Sequence, residues 1–276
     1  MCNPRKLLNA ASAGVTFALS LFFATGLSAQ DAVRVGGTGI GLKLAAIIGE
    51  ALHGADAGVV TTVFPSMGTP GGIKALDAGA IDVAVAARPL KDAEKTTGIR
   101  EAACLTTALA FVTSRHEAPG ITLETLPEIY ADAEPRWPDG QPLKIILRSP
   151  AGSENPYLVR LVPGMEAALA AAFRRPGIPV GATDQENAAL AIQIDGSFAI
   201  ATLLQIHSER LNLTALAVNG VKPDPKTLAD GSYPMPIRVC FLLSSNPTGG
   251  AVKFIDYMRS PAGQEIVRSN GGEPEN

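Results

Sequence analysis

The sequence predicts an α/β fold of two units, with mostly parallel sheets flanked by helices. Three observations predict it. β-Branched apolar runs alternate with segments of helical period. Turns rich in Gly, Ser and Thr follow one strand after another. Two long apolar strands, Cys104–Thr113 and Ile237–Leu243, enclose a self-contained αβ block, the pattern of a second domain inserted into a discontinuous first one.

The elements read in order as follows. Val33–Val35 is a short strand broken by Gly36-Gly37-Thr38-Gly39. Leu44, Ile47, Ile48 and Ala51 then fall at helical spacing, widened by Leu52. Val59–Phe64 is β-branched, stops at Pro65, and leads through the turn Ser66–Gly72 to a short helix around Ile73–Leu76. Ile81–Ala86 is a buried strand ended by Arg88-Pro89. After Cys104–Thr113, a helix is expected over Ile121–Tyr130, with Leu123, Leu126 and Tyr130 on one stripe. A strand follows over Leu143–Leu147, then a small-residue loop over Ser149–Pro156 and an Ala-rich helix after Met165. Asn187–Ile194 reads as helix and Phe198–Thr202 as strand. Ile237–Leu243 returns the chain, and Val252–Met258 and Ala262–Val267 close it with helix.

The first 29 residues read as an export signal. Arg5 and Lys6 precede an apolar run, Val15–Leu27, and Leu27-Ser28-Ala29 offers small residues for cleavage after Ala29. Cys2 precedes the apolar run and does not end it, which argues against a lipoprotein anchor. A net charge of −3 with no basic cluster gives no support to nucleic-acid binding. Cys104 and Cys240 are too few for a disulfide scaffold and fit no zinc spacing. His53, His116 and His207 also lack metal-ligand spacing, so no cofactor or metal is expected.

Chemistry concentrates in three loops, Gly36–Gly41, Ser66–Gly72 and Ser149–Asn155, each after a strand and before a helix. A helix N-terminus leaves backbone N–H groups unpaired and carries partial positive charge. Small residues let an anion approach those groups, and hydroxyls add donors. Arg88 and Arg148 lie close to two of the loops. Gly37-Thr38-Gly39 does not complete a dinucleotide fingerprint, because Leu42 stands where the third glycine belongs, and no P-loop Lys-Ser/Thr follows any loop.

Several stretches resemble a known family. Gly68-Thr69-Pro70-Gly71-Gly72-Ile73-Lys74-Ala75-Leu76 resembles a G-S-x-G-G-x-K-x-[IL] loop. The run from Ile81 to Leu90, with Arg88-Pro89-Leu90, resembles D-[IF]-G-x-S-[SD]-R-P-L. Leu123 through Trp137, Arg148-(x3)-Gly152-Ser153-Glu154-Asn155, Asn219–Pro223, Gly231–Pro234 and Ser260–Gln264 match further segments in order. Together they resemble the phosphate-binding proteins of ABC transporters, a branch of the type II periplasmic binding proteins. The resemblance implies two lobes, residues 30–113 with 239–276 and residues 114–238, joined by two crossing strands. It also implies an anion held in the cleft between them. Thr38 and Gly39 would contribute from the first loop, Thr69 by hydroxyl and N–H, and Arg88 by a charge-assisted bond. Arg148, Gly152, Ser153, Glu154 and Asn155 would contribute from the second lobe. The implied ligand is inorganic phosphate or a similar oxyanion, the implied partner an inner-membrane ABC permease, and the implied state a periplasmic monomer.

Two departures from the family pattern stand in the site. Ala87 occupies the position of a Ser or Asp, and Glu154-Asn155 that of Gly-Thr. A carboxylate in an anion site repels the ligand unless it accepts the ligand's proton or points away. Two other classes stay open: an exported phosphate-ester hydrolase, and a sensory binding protein that docks on a membrane receptor. Cys104 and Cys240 read as two small buried hydrophobes, or as one disulfide if the crossing strands lie side by side.

Overall fold

The computed structural model describes residues 31–275, so the expected export signal lies outside the described residues. Strand β1 (Asp31–Gly37), helix α1 (Leu42–Ala55), β2 (Val59–Val63), α2 (Gly68–Asp77) and β3 (Val83–Ala86) form a βαβαβ run. A one-turn helix, α3 (Asp92–Lys95), leads into β4 (Arg100–Thr113). The next block holds α4 (Leu126–Ala131), β5 (Lys144–Ile145), β6 (Leu147–Arg148), α5 (Glu154–Leu161), α6 (Met165–Arg174) and β7 (Val180–Gly181). It continues with α7 (Asp184–Gln193), β8 (Ser197–Thr202), α8 (Leu203–Ser208), β9 (Thr214–Ala215) and α9 (Pro225–Ala229). Strand β10 (Pro236–Leu243) returns the chain, and α10 (Gly249–Arg259), α11 (Pro261–Ser269) and β11 (Gly272–Pro274) end it.

The main sheet runs β2-β1-β3-β10-β4-β8-β5, with β9 and β11 also paired to β4. Strands β2, β1 and β3 are parallel, as are β5 and β8, while β10 and β4 make the antiparallel centre. Strand β4 serves both lobes. Its residues up to Ala108 pair with β10, and Leu109–Val112 pair with β8. At that junction Leu109 N–H donates to the Met235 carbonyl at 2.9 Å, so the outgoing and returning connections lie side by side.

Strands alternate their side chains between two faces, and both faces of this sheet are covered by helices. Val83, Val85, Val239 and Phe241 join the core with Ile48 and Phe254. Ala84, Ala86, Cys240 and Leu242 join the opposite core with Ile73 and Leu76. In the second lobe Phe198 stacks on Phe111 at 4.9 Å and meets Tyr130 and Trp137 edge-on, each at 6.1 Å. Cys104 and Cys240 are direct partners in the β4–β10 register, on one face, and are joined as a disulfide.

Three sequence expectations are corrected. The helix expected over Ile121–Tyr130 begins only at Leu126. Ile121 is held in a bridge to Val218, and Thr125 Oγ1 donates to the Thr122 carbonyl at 2.9 Å, making a turn where the first helical turn was expected. The strand expected over Leu143–Leu147 is two short strands, because the chain pairs with β8 on one side and then with β7 on the other. Gly68–Gly72 is not a loop before a helix but the first turns of α2. Gly72 packs so closely on β1 that a Cβ there would lie 2.6 Å from Gly37 Cα.

Candidate anion-binding site

The first lobe builds its side of the site at the C-terminal ends of β1 and β3. Gly37 has φ 130°, and a Cβ there would lie 2.2 Å from the Val85 carbonyl oxygen, so only glycine lets the chain turn at this point. Past it, Thr38 N–H donates to Val85 O at 3.0 Å and Met67 N–H to Gly37 O at 3.0 Å, which ties the first two loops together. Thr69, in the first turn of α2, is buried. Its Oγ1 accepts the Ala87 N–H at 3.1 Å, leaving the hydroxyl proton to donate elsewhere.

The second lobe answers with a buried charged cluster. Arg148, at the end of β6, donates from Nη2 to Asp184 Oδ1 at 3.0 Å and from Nη1 to the Gly181 carbonyl at 3.2 Å. Its Nε lies 3.6 Å from Glu154 Oε1, near enough for charge attraction but too long for a good hydrogen bond. The side chains of Arg148, Glu154 and Asp184 are 7%, 5% and 6% exposed. Glu154 opens α5, and among the described residues its Oε2 is buried without a partner, beside Gly152. Burial, and then the neighbouring Asp184 carboxylate, push the Glu154 carboxyl above the usual range, against the pull of Arg148.

The two sides meet. Thr38 Oγ1 donates to Asp184 Oδ2 at 3.2 Å, and Gln185 Nε2 donates to the Gly39 carbonyl at 3.1 Å and to Glu209 Oε1 at 2.9 Å. Beside this contact lies an interlobe groove of about 640 Å³, bordered by Lys43, Phe64, Ser66, Gln185 and Glu209.

The structure therefore brings Thr38, Gly39, Arg148, Gly152 and Glu154 into one connected cluster, with Thr69 reached through the packed first two loops. Ser153 is the residue before α5, and its hydroxyl caps nothing there. Asn155 uses its side-chain amide on the Ser149 carbonyl at 2.9 Å. Arg88 stands apart from its expected role: both Nη atoms are bonded to Glu94, at 2.8 and 2.7 Å, and Nη1 also to the Pro89 carbonyl. Asp184 and Gln185 were not singled out from the sequence. Their one signal is position: they follow Thr183, whose hydroxyl caps α7 by accepting the Glu186 N–H.

The match to known proteins follows this geometry. Residues 24–262 match the family model described as the PBP superfamily domain. The chain belongs to that superfamily. The phosphate-binding protein PstS of Bacillus subtilis (strain 168) is 32% identical over 89 residues. That stretch spans 32% of this chain and 30% of the relative's length. The fold is similar to a Clostridium perfringens protein described as a phosphate ABC transporter substrate-binding protein, with phosphate bound. That similarity has a TM-score of 0.75 at 19% identity and covers 89% of this chain and 100% of the other. It is also similar to the periplasmic molybdate-binding protein of Azotobacter vinelandii, with a TM-score of 0.57 at 13% identity over 88% of this chain and 100% of the other. At these identities the structural likenesses establish the two-lobed periplasmic-binding-protein fold.

Proposed function

We propose that this protein is an exported solute-binding protein that captures phosphate or a related oxyanion between its lobes for an ABC-type import system. The lobes in this reading are residues 30–113 with 239–276, and residues 114–238. One observation carries it. The first loop, bonded to the turn before α2 through Met67 N–H and the Gly37 carbonyl, meets the buried cluster of Arg148, Glu154 and Asp184, with Thr38 reaching Asp184 across the cleft. Backbone N–H groups, the Thr69 and Ser153 hydroxyls and helix N-termini are the donors that hold an oxyanion without a metal. The matched relative and the similar structure from Clostridium perfringens both carry phosphate in their descriptions. Arg88, held by Glu94, is the weakest member of the ligand set.

The test is calorimetry and thermal shift of the mature protein against phosphate, sulfate and molybdate, since a tight ligand raises the melting temperature by mass action. Saturable binding of phosphate with a matching shift is expected. Turnover of a chromogenic phosphate ester, abolished by Ser153→Ala, would replace this reading with a hydrolase.

A further inference from the structure

We propose that the Cys104–Cys240 pair, once reduced, forms with Glu101 a binding site for a thiophilic divalent cation of the zinc class. The inference is independent of the anion-binding reading and starts from strand register. Cys240 stands opposite Cys104, and Leu242 opposite Glu101. Cys240 and Leu242 are two apart on β10, so they share a face, the one packed with Ile73 and Leu76. Cys104 and Glu101 are three apart on β4, and in a regular strand they would point to opposite faces. The register shifts between Phe241 and Leu242, which leaves Ala102 without a partner on β10. Ala102 and Ala103 both join the other core, and Glu101 is brought round to the face of the two cysteines. Bulges re-aim side chains in this way beside functional sites.

The donor set fits the ion. Both sulfurs and one Glu101 carboxylate oxygen lie within 4.8 Å of one another. Zinc, with bonds of about 2.3 Å to sulfur and about 2.1 Å to oxygen, holds its ligand atoms roughly 3.5–3.8 Å apart. Breaking the sulfur–sulfur bond lets χ1 rotation part the sulfurs to that spacing. Two electrons and two protons pass to the pair from a dithiol, which leaves as its own disulfide. The ion then binds both thiolates, and their two protons go to solvent. Cys240 is buried, while Cys104 and Glu101 are half-buried, which gives the ion a way in and leaves its fourth position to water. Arg238 donates from Nη1 to Glu101 Oε2 and from Nε to Glu275. It thus leaves Glu101 Oε1 for the ion, orients the ligating carboxylate and offsets part of the negative charge of the thiolates. Sulfur staples the oxidised strands, and the metal staples the reduced ones at the same place.

The test reduces the mature protein with a phosphine, removes the reductant, and titrates with cobalt(II) and then zinc. The reduced wild type should bind one cobalt with a sulfur-to-cobalt charge-transfer band that zinc bleaches, and the oxidised protein should show no such band. Zinc should raise the melting temperature of the reduced form and not that of the oxidised form. Because the ion binds only the reduced pair, the reduction potential in a glutathione buffer should climb about 30 mV for each tenfold rise in free zinc above the dissociation constant. Cys240→Ser should abolish one-to-one binding. Glu101→Gln keeps both sulfurs and should weaken zinc about tenfold or more, an effect that a chain unfolded by reduction would not show. The comparison of reduced with oxidised wild type stands even where Cys240→Ser fails to fold. No charge-transfer band in the reduced wild type, or an affinity indifferent to Glu101→Gln, would overturn the proposal.

Discussion

Replacing Gly39 with alanine should weaken ligand capture while leaving each lobe intact. A Cβ at this position would lie 2.3 Å from Gln185 Oε1, 2.7 Å from Asp184 Oδ2 and 2.9 Å from Asp184 Cβ. The glutamine amide can swing aside. The Asp184 Cβ cannot, because it is fixed to the first turn of α7, so the lobes must part at this point. Parting breaks the Thr38–Asp184 and Gln185–Gly39 hydrogen bonds. At about 1 kcal/mol each the closed form loses about 2 kcal/mol, which is about thirtyfold in affinity for a ligand that binds only the closed form. The clash involves only residues across the cleft, so the melting temperature without ligand should stay near that of the wild type. Titration calorimetry measures the first quantity and small-angle scattering the opening. Wild-type affinity and dimensions in Gly39→Ala would refute the argument that α7 and the first loop close on each other.

Thr69→Ala removes a buried hydroxyl whose proton is free to donate, and should cost about 1.5–3 kcal/mol of oxyanion binding, with Ser153→Ala acting in the same direction; calorimetry decides both. The Arg88 hydrogen bonds hold the Glu94 carboxyl down to about 2. A depressed carboxyl gives stability that is present above the unfolded value of about 4.3 and lost as pH falls from there toward the folded value. Arg88→Ala should therefore remove part of the acid-side loss seen in denaturant titrations, and should cost less than about 1 kcal/mol at neutral pH because the pair is near the surface. The Cys104–Cys240 disulfide closes a separation of 136 residues, and reducing it should lower stability by about 2–4 kcal/mol. Two free thiols by mass spectrometry in the exported protein would contradict the pairing.

What the sequence makes legible is what local pattern controls. The period of Leu44, Ile48 and Leu52 marks α1, and the apolar runs mark β3, β4 and β10, because both sheet faces are buried. Gly and Thr in the loops point to the donor sites. Less legible were features set by a partner elsewhere. Leu123 and Leu126 fit a helical stripe, but the Thr122–Thr125 turn and the bridge at Ile121 claim the first turn. Arg88 looked free because Glu94 lies beyond a proline turn. Asp184, held in its own lobe by Arg148, gains its partner Thr38 only where the lobes meet, 146 residues away along the chain. Nothing near Asp184 in the sequence announces that encounter.

The two connections that cross side by side between the lobes limit how they can move. Up to Ala108, β4 belongs to one sheet neighbourhood, with β10 and β11, and from Leu109 to another, with β8 and β9. The return path crosses at Met235 and Pro236, hydrogen-bonded to the same place. Sliding one lobe over the other would shear this ladder, whereas bending leaves most of it intact. The disulfide staples β4 to β10 on the first-lobe side of the crossing. The outgoing and returning strands thus form one hydrogen-bonded strap, and it is this strap that joins the loop bearing Thr38 to the α7 turn bearing Asp184.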